Sequence, residues 1–116
     1  MIEILLIRII LIRNRGTKLS SLNISPTGII FVKFEAEWCG PCKLLDTEFH
    51  KLDGVDGITI QKYDIDVESE LTESLNIMGV PTVMCYRDGE YIGKFVGAVK
   101  AEYINNIING TQTLEK

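Results

Sequence analysis

Trp38-Cys39-Gly40-Pro41-Cys42-Lys43 decides how the rest of this chain is to be read. The apolar run Ile29-Ile30-Phe31-Val32 precedes it, and a helix-like pattern carrying Leu45, Phe49 and Leu52 follows. Two cysteines two residues apart at a strand-to-helix junction can close a small disulfide ring or serve as a reactive dithiol. The local physics favours the dithiol. Pro41 has no backbone N–H and a φ preset near the helical value, which suits the first turn of a helix. Cys39 then stands at the helix N-terminus, where unpaired N–H groups and the macrodipole favour an anion over a neutral thiol. The thiolate is the nucleophilic form of cysteine. Gly40 leaves the turn open, so the disulfide of another protein can approach Cys39 closely.

With its flank, Phe34-Glu35-Ala36-Glu37-Trp38-Cys39-Gly40-Pro41-Cys42-Lys43 resembles the active-site segment of the thioredoxin family. Gly79-Val80-Pro81-Thr82 is a second match, and Asp88-Gly89-Glu90 through Val96-Gly97-Ala98 a third. In order and spacing these cover residues 28–109. The resemblance implies an α/β thioredoxin fold, a central mixed sheet with helices on both faces. Patterning alone leads to the same architecture, because a βαβ unit followed by a hairpin and a closing helix builds such a sheet.

The chain has 116 residues, the size of one domain with one core. Its net charge of −4 argues against nucleic acid as the main partner. Charge is unevenly spread, with five bases and one acid in residues 1–33 and seven bases and fifteen acids thereafter. Three cysteines are too few and too odd for a disulfide-stapled secreted scaffold and suit a reducing cytoplasm with one catalytic pair. Cys85, within the strand-like Val83-Met84-Cys85-Tyr86, reads as a buried structural thiol. A zinc site would need four ligands. Beyond the pair only Cys85 and His50 are obvious candidates, and His50 lies about 12 Å along the helix from Cys42. No metal is expected.

Residues 1–13 are isoleucine-rich, yet too short and too charged for a membrane span, and they lack a signal peptide's basic lead and cleavage site. No membrane association is expected. The family pattern wants a strand near Ile9–Ile12, which makes residues 1–8 an atypical extension: either a longer first strand or an added edge able to pair with another chain. A short helix is expected within residues 18–24, with Leu19, Leu22 and Ile24 inward. Ile29–Glu35 reads as a central strand, 42–52 as a helix closed by Asp53-Gly54, and 58–63 as a strand. A short helix over 69–75, a strand over 82–86, a tight turn at Asp88-Gly89 and a strand over 91–96 follow. Ala101–Ile108 is a closing amphipathic helix with Ile104, Ile107 and Ile108 on one face. The polar tail, residues 111–116, is expected to fray.

The resemblance carries roles onto particular residues. Cys39 would attack a target disulfide, and the more buried Cys42 would resolve the mixed disulfide. Trp38 would cover the sulfurs and touch substrate, with Gly40 and Pro41 shaping the turn. Pro81 resembles the family's cis-proline. There Val80 could pair with an extended substrate strand, and Gly97 with Ala98 would wall the groove. Lys33 departs from the family, which usually places a buried aspartate six residues before the first cysteine. Lys62 matches that aspartate's lysine partner, so two lysines would face each other. If charged, they would favour a thiolate at Cys42. Lys33 could instead snorkel to the surface, or pair with Glu35 or Glu37, which lie on its face by the period of two.

The implied activity is protein-disulfide reduction without a bound cofactor, NADPH acting only indirectly through a thioredoxin reductase. The partners are disulfide-containing proteins, and the chain would be a monomer or weak dimer. Gly40-Pro41 favours a reductase over an isomerase or oxidant. Against this stands a thioredoxin-fold binding subunit of a larger assembly, which would have no need of a reactive dithiol.

Overall fold

The structure, a computed structural model, describes residues 22–116. The isoleucine-rich segment and the start of the expected helix at 18–24 lie outside them. Of that helix, residues 22–24 are described and are irregular, with Leu22 and Ile24 half-buried against the sheet.

Among the described residues four strands form the sheet: β1 (Ile29–Glu35), β2 (Ile58–Asp64), β3 (Thr82–Arg87) and β4 (Glu90–Val96). Their order is β2-β1-β3-β4, with β1 and β2 parallel and the other pairs antiparallel. The helices of the described residues are α1 (Gly40–His50), α2 (Ser69–Ser74) and α3 (Ala101–Ile108). From Ile29 onward the expected elements are present with ends within one residue of expectation, except α1, which both starts and ends two residues earlier than expected.

Strand β1 is central, and its side chains feed two cores by alternation. Ile29 and Phe31 pack with Leu45 and Phe49 of α1 and with Ile104 and Ile107 of α3. Ile30, Val32 and Phe34 pack on the opposite face with Leu71 of α2 and with Tyr63, Met84 and Tyr86. Helices therefore cover both faces. The hairpin between β3 and β4 turns on Asp88 and Gly89, whose φ values of 51° and 87° are those a tight two-residue turn requires.

Residues 111–116 do not fray as expected. Lys94 N donates to Glu115 O at 2.7 Å, forming an antiparallel bridge on the side of β4 away from β3. Leu114 packs against the core, and Tyr91 Oη donates to Lys116 O at 3.1 Å. Gly93 makes the approach possible: a Cβ there would lie 2.5 Å from Leu114 Cβ, and its φ is 137°. One apolar side chain and a glycine opposite it outweigh the tail's polar composition.

Candidate active site

Strand β1 delivers the chain to the site. After Glu35 it turns through Ala36, whose carbonyl accepts from Cys39 N at 3.2 Å, and α1 begins. Cys39 is the N-cap, with extended backbone, and Pro41 lies in the first turn. Cys42 N donates to Cys39 Sγ at 3.1 Å, so the sulfur fills the role a cap oxygen usually plays. The helix-terminus placement inferred from Pro41 is thus realised in a hydrogen bond. Cys39 and Cys42 are joined as a disulfide with Cα atoms 5.3 Å apart. Both are buried, Cys39 to 4% exposure and Cys42 to 2%, so the expected contrast between them is small in this state. Ala36, Ile65 and Val80 make their surroundings apolar.

Gly40 and Pro41 are exposed at the helix tip. Trp38 is 69% exposed, and its Nε1 donates to Asp66 Oδ2 at 2.9 Å. The indole is tethered beside the pair rather than packed in a core. The Val80–Pro81 bond is cis, and Thr82 Oγ1 donates to Gly79 O at 2.6 Å across this turn. Gly97 N donates to Pro81 O at 3.0 Å, which brings Gly97 and the exposed Ala98 alongside the turn. A groove of about 280 Å³ beside it is lined by Ile77, Met78, Thr82, Lys94 and Val96. Met78 and Val96 are exposed apolar side chains on its rim.

Lys33 does not snorkel; it is completely buried. Its Nζ donates to Cys42 O at 3.0 Å, to Asp46 Oδ1 at 2.8 Å and to Glu35 Oε1. Lys62 is its cross-strand partner, as expected, but the two ammonium groups do not stand alone. Asp46 lies between them and also accepts from Lys62 Nζ, at 3.1 Å. Glu35 pairs with Lys33 as its period-two position allows, whereas Glu37 is exposed. Burial pushes the Asp46 carboxyl up, but hydrogen bonds and charge from Lys33 and Lys62 outweigh it and hold the group below the ordinary aspartate value. Sequence reasoning missed Asp46. It lies four residues after Cys42 on the same face of α1, but that spacing does not say that α1 lays it over Lys33.

Cys85 is fully buried, and desolvation pushes its thiol up to about 12. His50 pairs with Asp53 at the far end of α1. Among the described residues no cluster of His, Cys, Asp and Glu could hold a metal ion, and no helix is long and apolar enough to cross a membrane.

The thioredoxin family model matches residues 18–110, most of the chain and the whole of this site. The chain belongs to the thioredoxin family. It is 34% identical over 84 residues to the thioredoxin of Chlamydia pneumoniae, covering 72% of this chain and 82% of that one. The thioredoxin of Bacillus subtilis is 32% identical over 84 residues, covering 71% and 81%. Among solved structures, a mutant thioredoxin from Halobacterium salinarum superposes with a TM-score of 0.67 at 27% identity, covering 79% of this chain and 81% of that one. The Fasciola hepatica thioredoxin gives 0.64 at 25%, covering 75% and 85%. With its Cys39–Cys42 pair at the family's active-site position, the chain is a thiol–disulfide oxidoreductase with protein-disulfide reductase activity. The family works without a prosthetic group.

Proposed function

We propose that this protein reduces protein disulfides with Cys39 as the attacking thiol and Cys42 as the resolving one. The observation that carries the assignment is Cys39 at the N-cap of α1, its sulfur facing the N–H of Cys42 at 3.1 Å. That position favours a sulfur anion, which is the form that attacks. The Cys39 thiolate attacks one sulfur of a substrate disulfide, and the other leaves as a thiolate and takes up a proton from solvent. Cys42 then attacks Cys39 Sγ, the mixed disulfide breaks, and the second substrate sulfur is released. Two electrons pass from the cysteine pair to the substrate, and the pair closes as the disulfide.

Substrate docks across Trp38, Gly40, Pro41 and the Val80–Pro81 turn, with Gly97 and Ala98 as the opposite wall. Val80 offers main-chain groups to an extended substrate strand, and the exposed side chains of Met78 and Val96 offer it apolar contact. A thioredoxin reductase drawing on NADPH restores the dithiol. The protein works in the cytoplasm as a single thioredoxin-like domain, monomeric or weakly dimeric.

Insulin disulfide reduction driven by dithiothreitol tests the assignment. The parent is expected to be active, Cys39→Ser inactive, and Cys42→Ser able to trap a mixed disulfide through Cys39. A trap formed instead through Cys42 in the Cys39→Ser protein would reverse the roles. An inactive parent, folded and with free thiols, would remove the reductase reading.

A further inference from the structure

We propose that Lys33 and Asp46 are positioning residues for Cys42 with opposite effects, Lys33 favouring the ionised sulfur and Asp46 restraining it. The balance between them sets how readily Cys42 ionises before it resolves the mixed disulfide. This rests on Cys42 being the resolving cysteine.

A lysine ammonium has three donors, and those of Lys33 are matched by Glu35, Asp46 and the carbonyl of Cys42. The side chain is therefore fixed, and the charge is anchored on the very residue whose sulfur reacts. Neither end of this contact is open to water, since Lys33 is fully buried and Cys42 is 2% exposed. A charge acts strongly on a neighbour in such surroundings.

The groups facing Cys42 can be named element by element. Lys33 of β1 reaches Cys42 at its carbonyl, and the charges joined to Lys33 are Glu35 of β1 and Asp46 of α1, with Lys62 of β2 behind Asp46. Ile65 and the Val80–Pro81 turn supply only apolar contact. Glu37 and Lys43, adjoining in sequence, are exposed. The four charges of the cluster cancel, so deleting any one leaves a net charge of known sign against Cys42.

Proton relay is the other way such a cluster could serve a thiol, and this one is poorly equipped for it. An ammonium has no lone pair to accept the Cys42 proton. Asp46, held as a carboxylate by two lysines, is a weak base. What remains is charge. In the resolving step the electron pair of Cys42 Sγ forms the bond to Cys39 Sγ, the bond from Cys39 to the substrate breaks, and the substrate sulfur leaves as a thiolate. No proton is needed from Lys33 or Asp46.

The test follows Cys42 alone, in a Cys39→Ser background, by ultraviolet thiolate absorbance against pH; Cys85, pushed up to about 12, stays silent over the working range. Adding Lys33→Met is expected to move the Cys42 titration to higher pH by about one unit, the lower end of what a nearby opposite charge produces. Asp46→Asn is expected to move it to lower pH. A merely structural role would move both variants the same way, or neither, and either result overturns the proposal. Should Lys33→Met fail to fold, Asp46→Asn and Glu35→Gln carry the test, since both side chains are a quarter or more exposed, and both must lower the titration. Insulin reduction by the two-cysteine parent is scored separately, so loss of the reductase reading and loss of this one are told apart.

Discussion

Replacing Gly93 with alanine would test whether the C-terminal segment is part of the fold. The new Cβ would stand 2.5 Å from Leu114 Cβ and 2.8 Å from Glu115 O, closer than real atoms approach, so residues 111–116 must lift from β4. Three losses then add. A non-glycine residue held at positive φ costs about 1–2 kcal/mol. The bond from Lys94 N to Glu115 O contributes about 1 kcal/mol, as intramolecular hydrogen bonds do on balance. Leu114 is half-buried, so its exposure costs about 1 kcal/mol, half the worth of a fully buried leucine. The sum is about 3–4 kcal/mol, which moves a urea midpoint by roughly 1.5–2 M at a slope of about 2 kcal/mol per molar. The assay is urea unfolding followed by far-ultraviolet circular dichroism with the Cys39–Cys42 disulfide intact. Deleting residues 112–116 should cost about 2 kcal/mol by itself, the hydrogen bond and the leucine together. In that shortened chain Gly93→Ala should cost only the backbone strain. A cycle of the two changes should thus show a coupling of about 2 kcal/mol. Equal cost of Gly93→Ala in both backgrounds would refute the docking of the tail.

Two further predictions concern titrating groups. Oxidised native protein should show no thiol reactive toward Ellman's reagent at mildly alkaline pH and one after unfolding, because Cys85 is buried and its thiol is pushed up to about 12; rapid reaction of the native protein would contradict the core position of that residue. Asp46 is held below its ordinary value, so its contribution to stability is complete above about 3.9, the unfolded value, and is lost as pH falls through the lower folded value. Asp46→Asn should therefore flatten the acid limb of the stability curve. An unchanged limb, measured by urea midpoints across that range, would mean that the lysines gain nothing from this carboxylate.

Much of the site was legible because it depends on local rules. Pro41 in a first turn fixes where α1 starts, and that alone sets Cys39 at the N-cap. The continuous apolar run of β1 reads as a strand covered on both faces, and two cores do cover it. Positions 88 and 89 carry turn residues that accept positive φ, and the hairpin forms there. The partner of Lys33 was only half legible. Glu35 shares its strand face, and period two is enough to find it. Asp46 reaches Lys33 from a helix lying over the sheet, and no rule of spacing within either element says where α1 crosses β1.

What the sequence by itself determined, then, are the order and type of the elements from Ile29 onward, the dithiol at a strand-to-helix junction and the conflict at Lys33, because these follow from backbone preference and from hydrophobic period. Tertiary structure alone decided how that conflict is resolved and where the chain end goes. Asp46 becomes a shared partner of two lysines only when α1 packs across β1 and β2. Leu114 becomes a core contact only because β4 presents Gly93 opposite it. Both depend on long-range contacts that exist once the sheet has formed, and a polar composition or a buried charge takes its meaning from the neighbours those contacts supply.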